Sequence, residues 1–334
     1  MDLRPEPLRD AQGRSIAYVR LSLTDRCNFR CGYCSAAENE APEHLLTFPE
    51  IARLLGLLAR LGVRRVRLTG GEPTLRKDVV AIAAAARATP GVEEVALSTN
   101  GHRLAELAAP LRAAGVESMN VSLDTLRQDR LLAVSGRGAR LADVIGGIEA
   151  AAAAGFPHLK TNTVVMGGVN EDELGDIVRF SWARGATPRF IELMPFGDGK
   201  PVSLARVKAL LAGQGVPLEP DPHRGWGPAH YMRLAQGVAA DSPRPRPLRI
   251  GFIGAITHNF CDDCNRARIT ADGEFQACLG GDSRVPLRDL LRAGAPDAEI
   301  EVKIRGALAR KGPRHHMDEA GAGLVLLPMR GIGG

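Results

Sequence analysis

Six cysteines stand in two groups of three: Cys27, Cys31 and Cys34 in a C-x3-C-x2-C pattern, and Cys261, Cys264 and Cys278 in a C-x2-C-x13-C pattern. In a reducing compartment such spacing points to metal or redox chemistry rather than structural disulfides. A cubane iron–sulfur cluster is normally held by four thiolates. Three clustered cysteines therefore leave one iron without a protein ligand, and an open metal position is where exogenous ligands bind and react. Zinc is the alternative: the first triplet completed by a distant residue, the second completed to Cys3His by His258.

Other residues could do chemistry beside these thiolates. In TGGEP (69–73), two glycines would let backbone approach a ligand, and Glu72 is an anionic acceptor. In the extended stretch RARIT (266–270), Arg266, Arg268 and Thr270 share one face. Adjacent guanidiniums repel unless an anion joins them, and their forks match phosphate oxygens, so this face predicts a triphosphate site rather than a solvated basic edge. Arg20 shares a strand face with Ser22, and Lys160 would be costly to bury unless paired.

These residues need elements to position them. The first two thirds of the 334 residues alternate short β-branched strands with Ala/Leu-rich helices. Strands are predicted at 18–23, 63–69, 93–100, 117–124, 159–166 and 188–194, with helices near 48–61, 78–88, 104–114, 141–154 and 172–184. That alternation builds parallel sheets through right-handed crossovers. Six such units predict an α/β fold, an incomplete (β/α)6 TIM-like barrel over 1–212. A C-terminal region, 213–334, would cover the opening; it reads as a Pro/Gly-rich connection with a hairpin, then short strands at 248–253, 266–270 and 274–278 and two short helices. Aromatics at 4% argue against base stacking on a nucleic-acid polymer, and a net charge of +5 favours a small anionic ligand such as a nucleotide. The polar N-terminus and the lack of a long apolar run predict a cytoplasmic protein with no membrane segment.

CNFRCGYC (27–34) resembles the signature of the radical S-adenosylmethionine superfamily, which chelates the cofactor on the unique iron of a 4Fe–4S cluster. The ordered set of Arg20 with TDRCNFRCGYC, VRLTGGEPTLR, STNG, NVSLD, LKTNTVV, RFIELMPFG, NFCDDCNRARIT, the third late cysteine and the terminal GG resembles the GTP 3′,8-cyclase family across essentially the whole chain. The resemblance implies two 4Fe–4S clusters, with S-adenosylmethionine on the first and the guanine edge of GTP on the second. It implies that Tyr33, Gly71, Ser122 and Met194 contact S-adenosylmethionine, that Arg20, Arg67, Ser98, Lys160, Arg266, Ala267 and Arg268 contact GTP, and that Gly333 and Gly334 reach into the site. It further implies an external one-electron donor, cyclic pyranopterin monophosphate synthase downstream, and a monomer or homodimer. Departures are Ser35–Ala36 after the last early cysteine, Ser98 where Thr is common and Arg65 where Lys is frequent; no cluster ligand is lost. The competing readings are a radical peptide maturase, which would have more auxiliary cysteines, and a non-catalytic iron–sulfur or zinc module.

Overall fold

The computed structural model describes residues 6–34, 42–136, 138–195, 198–235, 247–281, 284–315 and 317. Its first part carries strands β1 (Tyr18–Ser22), β2 (Arg65–Thr69), β3 (Glu94–Thr99), β4 (Val116–Ser122), β5 (His158–Val165) and β6 (Thr187–Glu192). Between them lie α1 (Phe48–Arg60), α2 (Val79–Ala88), α3 (Leu104–Ala113), α4 (Gln128–Ser135), α5 (Leu141–Ala154) and α6 (Leu174–Ala183). Local chemistry explains the best-predicted boundaries. Thr47 and Glu50 form a reciprocal capping box at the start of α1, with proline in its first turn, and α5 ends where Gly155 turns left-handed at φ 71°.

The remainder contains α7 (Leu204–Gly213), β7 (Leu218–Pro220), β8 (His230–Leu234), β9 (Arg249–Ile253), β10 (Arg266–Ile269), β11 (Glu274–Gln276), β12 (Arg284–Pro286), α8 (Leu287–Arg292) and α9 (Asp297–Ala309). Helices α4 and α7 and strand β12 are additions to the predicted elements. Of these, α7 has a readable signal: Ser203 caps it by accepting from the Arg206 N–H, and the buried Leu204, Val207 and Leu211 follow helical spacing.

Strands β1 to β6 lie parallel in sequence order, as predicted. The sheet does not stop at its six strands. Strand β10 pairs parallel with β1 at one edge and β9 pairs parallel with β6 at the other, so the C-terminal segments supply hydrogen-bond partners to both otherwise open edges. Antiparallel strands β11 and β12 continue beyond β10, and β8 and β7 beyond β9. Side chains alternate across each strand. Val19, Leu21, Val66 and Leu68 pack under the helices in the main core, which leaves Tyr18, Arg20, Ser22, Arg65, Arg67 and Thr69 for the inner face. A second apolar cluster, with Phe190, Phe252, Trp182 and Val207, joins β6 and β9 to α6 and α7. No helix among the described residues is long and apolar enough to cross a membrane.

Candidate active site

Where β2 to β6 end, one cavity gathers Cys27, Cys31, Cys34, Tyr33, Gly71, Ser98, Ser122 and Met194. The cysteine loop is held there by the TGGEP turn. The Gly71 N–H donates to the Thr24 carbonyl at 2.6 Å, and the Glu72 N–H to the Arg26 carbonyl at 2.7 Å. A Cβ on Gly71 would stand 2.3 Å from the Arg26 oxygen, so glycine is required by the approach of the two loops. With its N–H spent on Thr24, Gly71 has its carbonyl to offer a ligand. Glu72 departs from the expectation of a ligand acceptor. It is buried, and its carboxylate accepts from the Thr74 and Thr99 hydroxyls at 2.6 and 2.7 Å and from the Asn100 N–H at 2.6 Å. Glu72 is a brace between the ends of β2 and β3.

Tyr33 is oriented by Asp124, a residue that motif reading passes over: its hydroxyl donates to Asp124 Oδ2 at 2.7 Å, and the Val164 N–H donates to Asp124 Oδ1 at 2.9 Å. Burial raises the Asp124 carboxyl to about 6 against these bonds. Burial, then the Asp124 charge, pushes the Cys31 thiol up to about 12. Such a thiol stays protonated until a metal displaces the proton. The Phe29 N–H donates to Cys27 Sγ at 3.4 Å, a donor suited to a ligating thiolate.

A second cavity opens at the other ends of the strands, lined by Arg65, Arg67, Lys160, Arg189 and Glu94. Register builds a cationic face beside it. Arg268 on β10 lies opposite Arg20 on β1, which lies opposite Arg67 on β2, and Arg266 lies opposite Tyr18. Burial and the neighbouring Arg268, Arg67 and Arg266 hold the Arg20 guanidinium well below its ordinary value, with Tyr18 opposing. Burial and then Arg266 bring Arg268 down to about 10. Burial of Lys160, then Arg189, Arg65 and Arg67, depresses its ammonium, which donates to Ser118 Oγ at 3.0 Å. Burial would raise the Tyr18 phenol, but Arg67, Arg65 and Arg20 bring it down to about 7, and Arg67 Nε donates to its oxygen.

So much like charge in one interior calls for an anion. Arg189, absent from the predicted contacts, belongs to this set. Its Nε and Nη2 donate to Asn162 Oδ1 at 2.9 and 2.6 Å, and its only sequence signal was the inward parity of its strand. Arg65, noted in the sequence only as a substitution for lysine, is buried and paired to Glu94 at 2.7 Å. The two cavities meet at two contacts. Ser98 and Asn162 line the cysteine cavity and accept hydrogen bonds from Arg67, at 2.9 Å, and Arg189 of the cation cavity.

Two of the residues singled out in RARIT, Ala267 and Thr270, do not join the arginines. Ala267 turns its side chain into the main core, leaving only backbone to a substrate, because it has the opposite parity on β10. The Thr270 hydroxyl is spent in the turn to β11, where it accepts from the Glu274 N–H at 2.8 Å. Gly273, at φ 85°, completes the turn between β10 and β11. Gly333 and Gly334 lie outside the described residues.

Cys261 and Cys264 form a turn, the Cys264 N–H donating to the Cys261 carbonyl at 3.1 Å, just before β10; Cys278 follows β11. Burial, then the neighbouring Cys278 and Cys264, raises the Cys261 thiol against the main-chain N–H of His315, and the main-chain N–H of Arg266 donates to Cys264. That donor set fits thiolates carrying a cluster. His258, the zinc alternative's fourth ligand, packs its ring edge-on against His230 with centroids 4.6 Å apart. Among the described residues no three His, Cys, Asp or Glu side chains are arranged to cage a single metal ion.

A cysteine cavity at the strand ends of a partial parallel barrel defines the class: a radical S-adenosylmethionine protein. The family model described as Radical SAM superfamily matches residues 21–181, and that described as Molybdenum Cofactor Synthesis C matches residues 186–317. The GTP 3′,8-cyclase of Heliobacterium modesticaldum is 43% identical over 97% of this chain and 99% of its own length. That of Paracoccus denitrificans is 43% identical over 93% of this chain and 90% of its own. The chain belongs to the GTP 3′,8-cyclase family. In fold it is similar to Streptococcus suis SuiB bound to S-adenosylmethionine, with TM-score 0.61 at 15% identity, covering 84% of this chain but 66% of that one.

Proposed function

We infer that the chain is a GTP 3′,8-cyclase, a radical S-adenosylmethionine lyase with two 4Fe–4S clusters that converts GTP to (8S)-3′,8-cyclo-7,8-dihydroguanosine 5′-triphosphate in the first step of molybdenum cofactor biosynthesis. The observation that carries this reading is the register of β10, which lays Arg266 and Arg268 beside Arg20 directly after the late cysteine turn. When bound, the N-terminal cluster and S-adenosylmethionine would supply one-electron radical chemistry directed at the ribose of GTP.

The chain's own residues supply position and charge. Cys27, Cys31 and Cys34 hold the first cluster. Tyr33, fixed by Asp124, and Met194 pack the adenine, while the Gly71 carbonyl and Ser122 accept from the amino group and the ribose. Cys261, Cys264 and Cys278 would hold the second cluster, beside which the guanine of GTP would lie. Arg20, Arg67, Lys160, Arg266 and Arg268, joined by Arg65 and Arg189, bind the triphosphate; Ser98 and the Ala267 backbone complete the contacts, with Gly333 and Gly334 as the tail. Residues 1–212 act as the radical barrel and 213–334 as the auxiliary-cluster and GTP-binding region. An external one-electron donor and a downstream cyclic pyranopterin monophosphate synthase complete the reaction sequence. A peptide maturase has no use for an interior of this charge.

Anaerobic reconstitution with iron and sulfide, then incubation with GTP, S-adenosylmethionine and a reductant, tests the reading. About eight iron per chain, at four per cubane, and the cyclised nucleotide are expected. Arg268→Ala should keep its iron yet bind GTP roughly 10- to 150-fold more weakly, the effect of losing a charge-assisted contact of about 1.5–3 kcal/mol. Zinc in the late site, or unchanged GTP affinity, would refute the assignment concerned.

A further inference from the structure

The segment that follows α9, Lys311–His315, is pinned against the late cysteine turn by Arg14, which precedes β1. Arg14 Nη1 donates to the carbonyls of Cys261 and Pro313, both at 2.7 Å, and Nη2 to the Gly312 carbonyl at 2.9 Å. Lys311 is buried, at 4% exposure, and its Nζ lies 3.5 Å from Cys264 Sγ and 3.1 Å from the Arg266 carbonyl. Its carboxylate partner is Asp10, at 3.7 Å, but Asp10 is already engaged by Arg14 at 2.7 Å. One buried carboxylate between two cations leaves one positive charge over, and the group facing it is the Cys264 sulfur.

We propose that Lys311 is a positioning residue of the auxiliary cluster: its ammonium donates to the Cys264 thiolate, favours the more negative, reduced form of the cluster, and ties that thiolate to the first carbonyl of the strand bearing Arg266 and Arg268. Cation and hydrogen-bond donors to ligating sulfurs are a recognised lever on cluster potential. The inference rests on the reading that the late triplet carries a 4Fe–4S cluster.

The test is a potentiometric titration of the reconstituted protein followed by electron paramagnetic resonance, tracking the cluster signal that responds to GTP rather than to S-adenosylmethionine. Lys311→Met should lower the reduced-to-oxidised ratio at fixed potential roughly tenfold, which is about 59 mV for one electron. Lys311→Arg should restore it, and Arg310→Met, on the exposed neighbour, should leave it alone. An unmoved potential in Lys311→Met with iron retained overturns the proposal, as does an equal shift in Arg310→Met. If Lys311→Met does not hold the late cluster, Lys311→Gln, which keeps a donor without the charge, is titrated in its place, and a wild-type potential there overturns the proposal. Wild-type protein with about eight iron and an unmoved variant sinks only the role of Lys311; wild-type protein with about four iron, or zinc, sinks the function above.

Discussion

Tyr18 sits among Arg20, Arg65 and Arg67 as an internal partner for cations awaiting a substrate. Its phenol is brought down to about 7 because the guanidiniums outweigh burial, so it releases its proton above that value, while an unfolded chain would release it near 10. Stability from this ionisation is therefore fully present above the unfolded value and is lost as pH falls through about 7. A difference titration of tyrosinate absorbance against Tyr18→Phe should show one of the three tyrosines ionising near 7. Saturating GTP should raise that midpoint, since a triphosphate competes for the same cations. A midpoint near 10 would remove Tyr18 from the charge balance. At this scale the sequence was informative about ligand types, and silent about partners such as Asp124 and Asn162, whose role comes from what they face.

Among the elements, the TGGEP turn illustrates how one motif can serve two contacts. Its glycines and Glu72 suggest a ligand loop, whereas the folded chain uses them first to seat the cysteine loop on the end of β2. Gly71→Ala should therefore cost the N-terminal cluster, halving iron content to about four per chain. Gly146→Ala, in α5 where an added Cβ meets nothing within 4 Å, should keep full iron and gain up to roughly 1 kcal/mol of stability. Iron analysis beside thermal denaturation separates the two, and full iron in Gly71→Ala would show that the loops can part without loss. Strand parity was legible in RARIT, where Arg266 and Arg268 do share a face. Thr270 was not, because strand parity stops counting once the chain enters a turn.

For the molecule as a whole, the C-terminal segments are built into the sheet. With β10 against β1 and β9 against β6, local opening of either edge exposes the backbone of the barrel strands themselves. Amide hydrogen exchange should accordingly show β9 and β10 protected together with β1 and β6. Fast exchange of β9 and β10 over a protected β1–β6 would mean that the added strands are only loosely attached.

Local chemistry alone marked the two cysteine triplets as candidate cluster ligands and determined the parallel strand order, the helix caps and the phosphate-like demand of paired arginines, because each depends on residue type and short spacing. Only the tertiary structure decided that Arg268, Arg20 and Arg67 form one row, that Arg189 joins them, and that Lys311 meets Cys264 across 47 residues of chain. Those contacts follow from which distant strand fills an open sheet edge, and no local pattern encodes that choice.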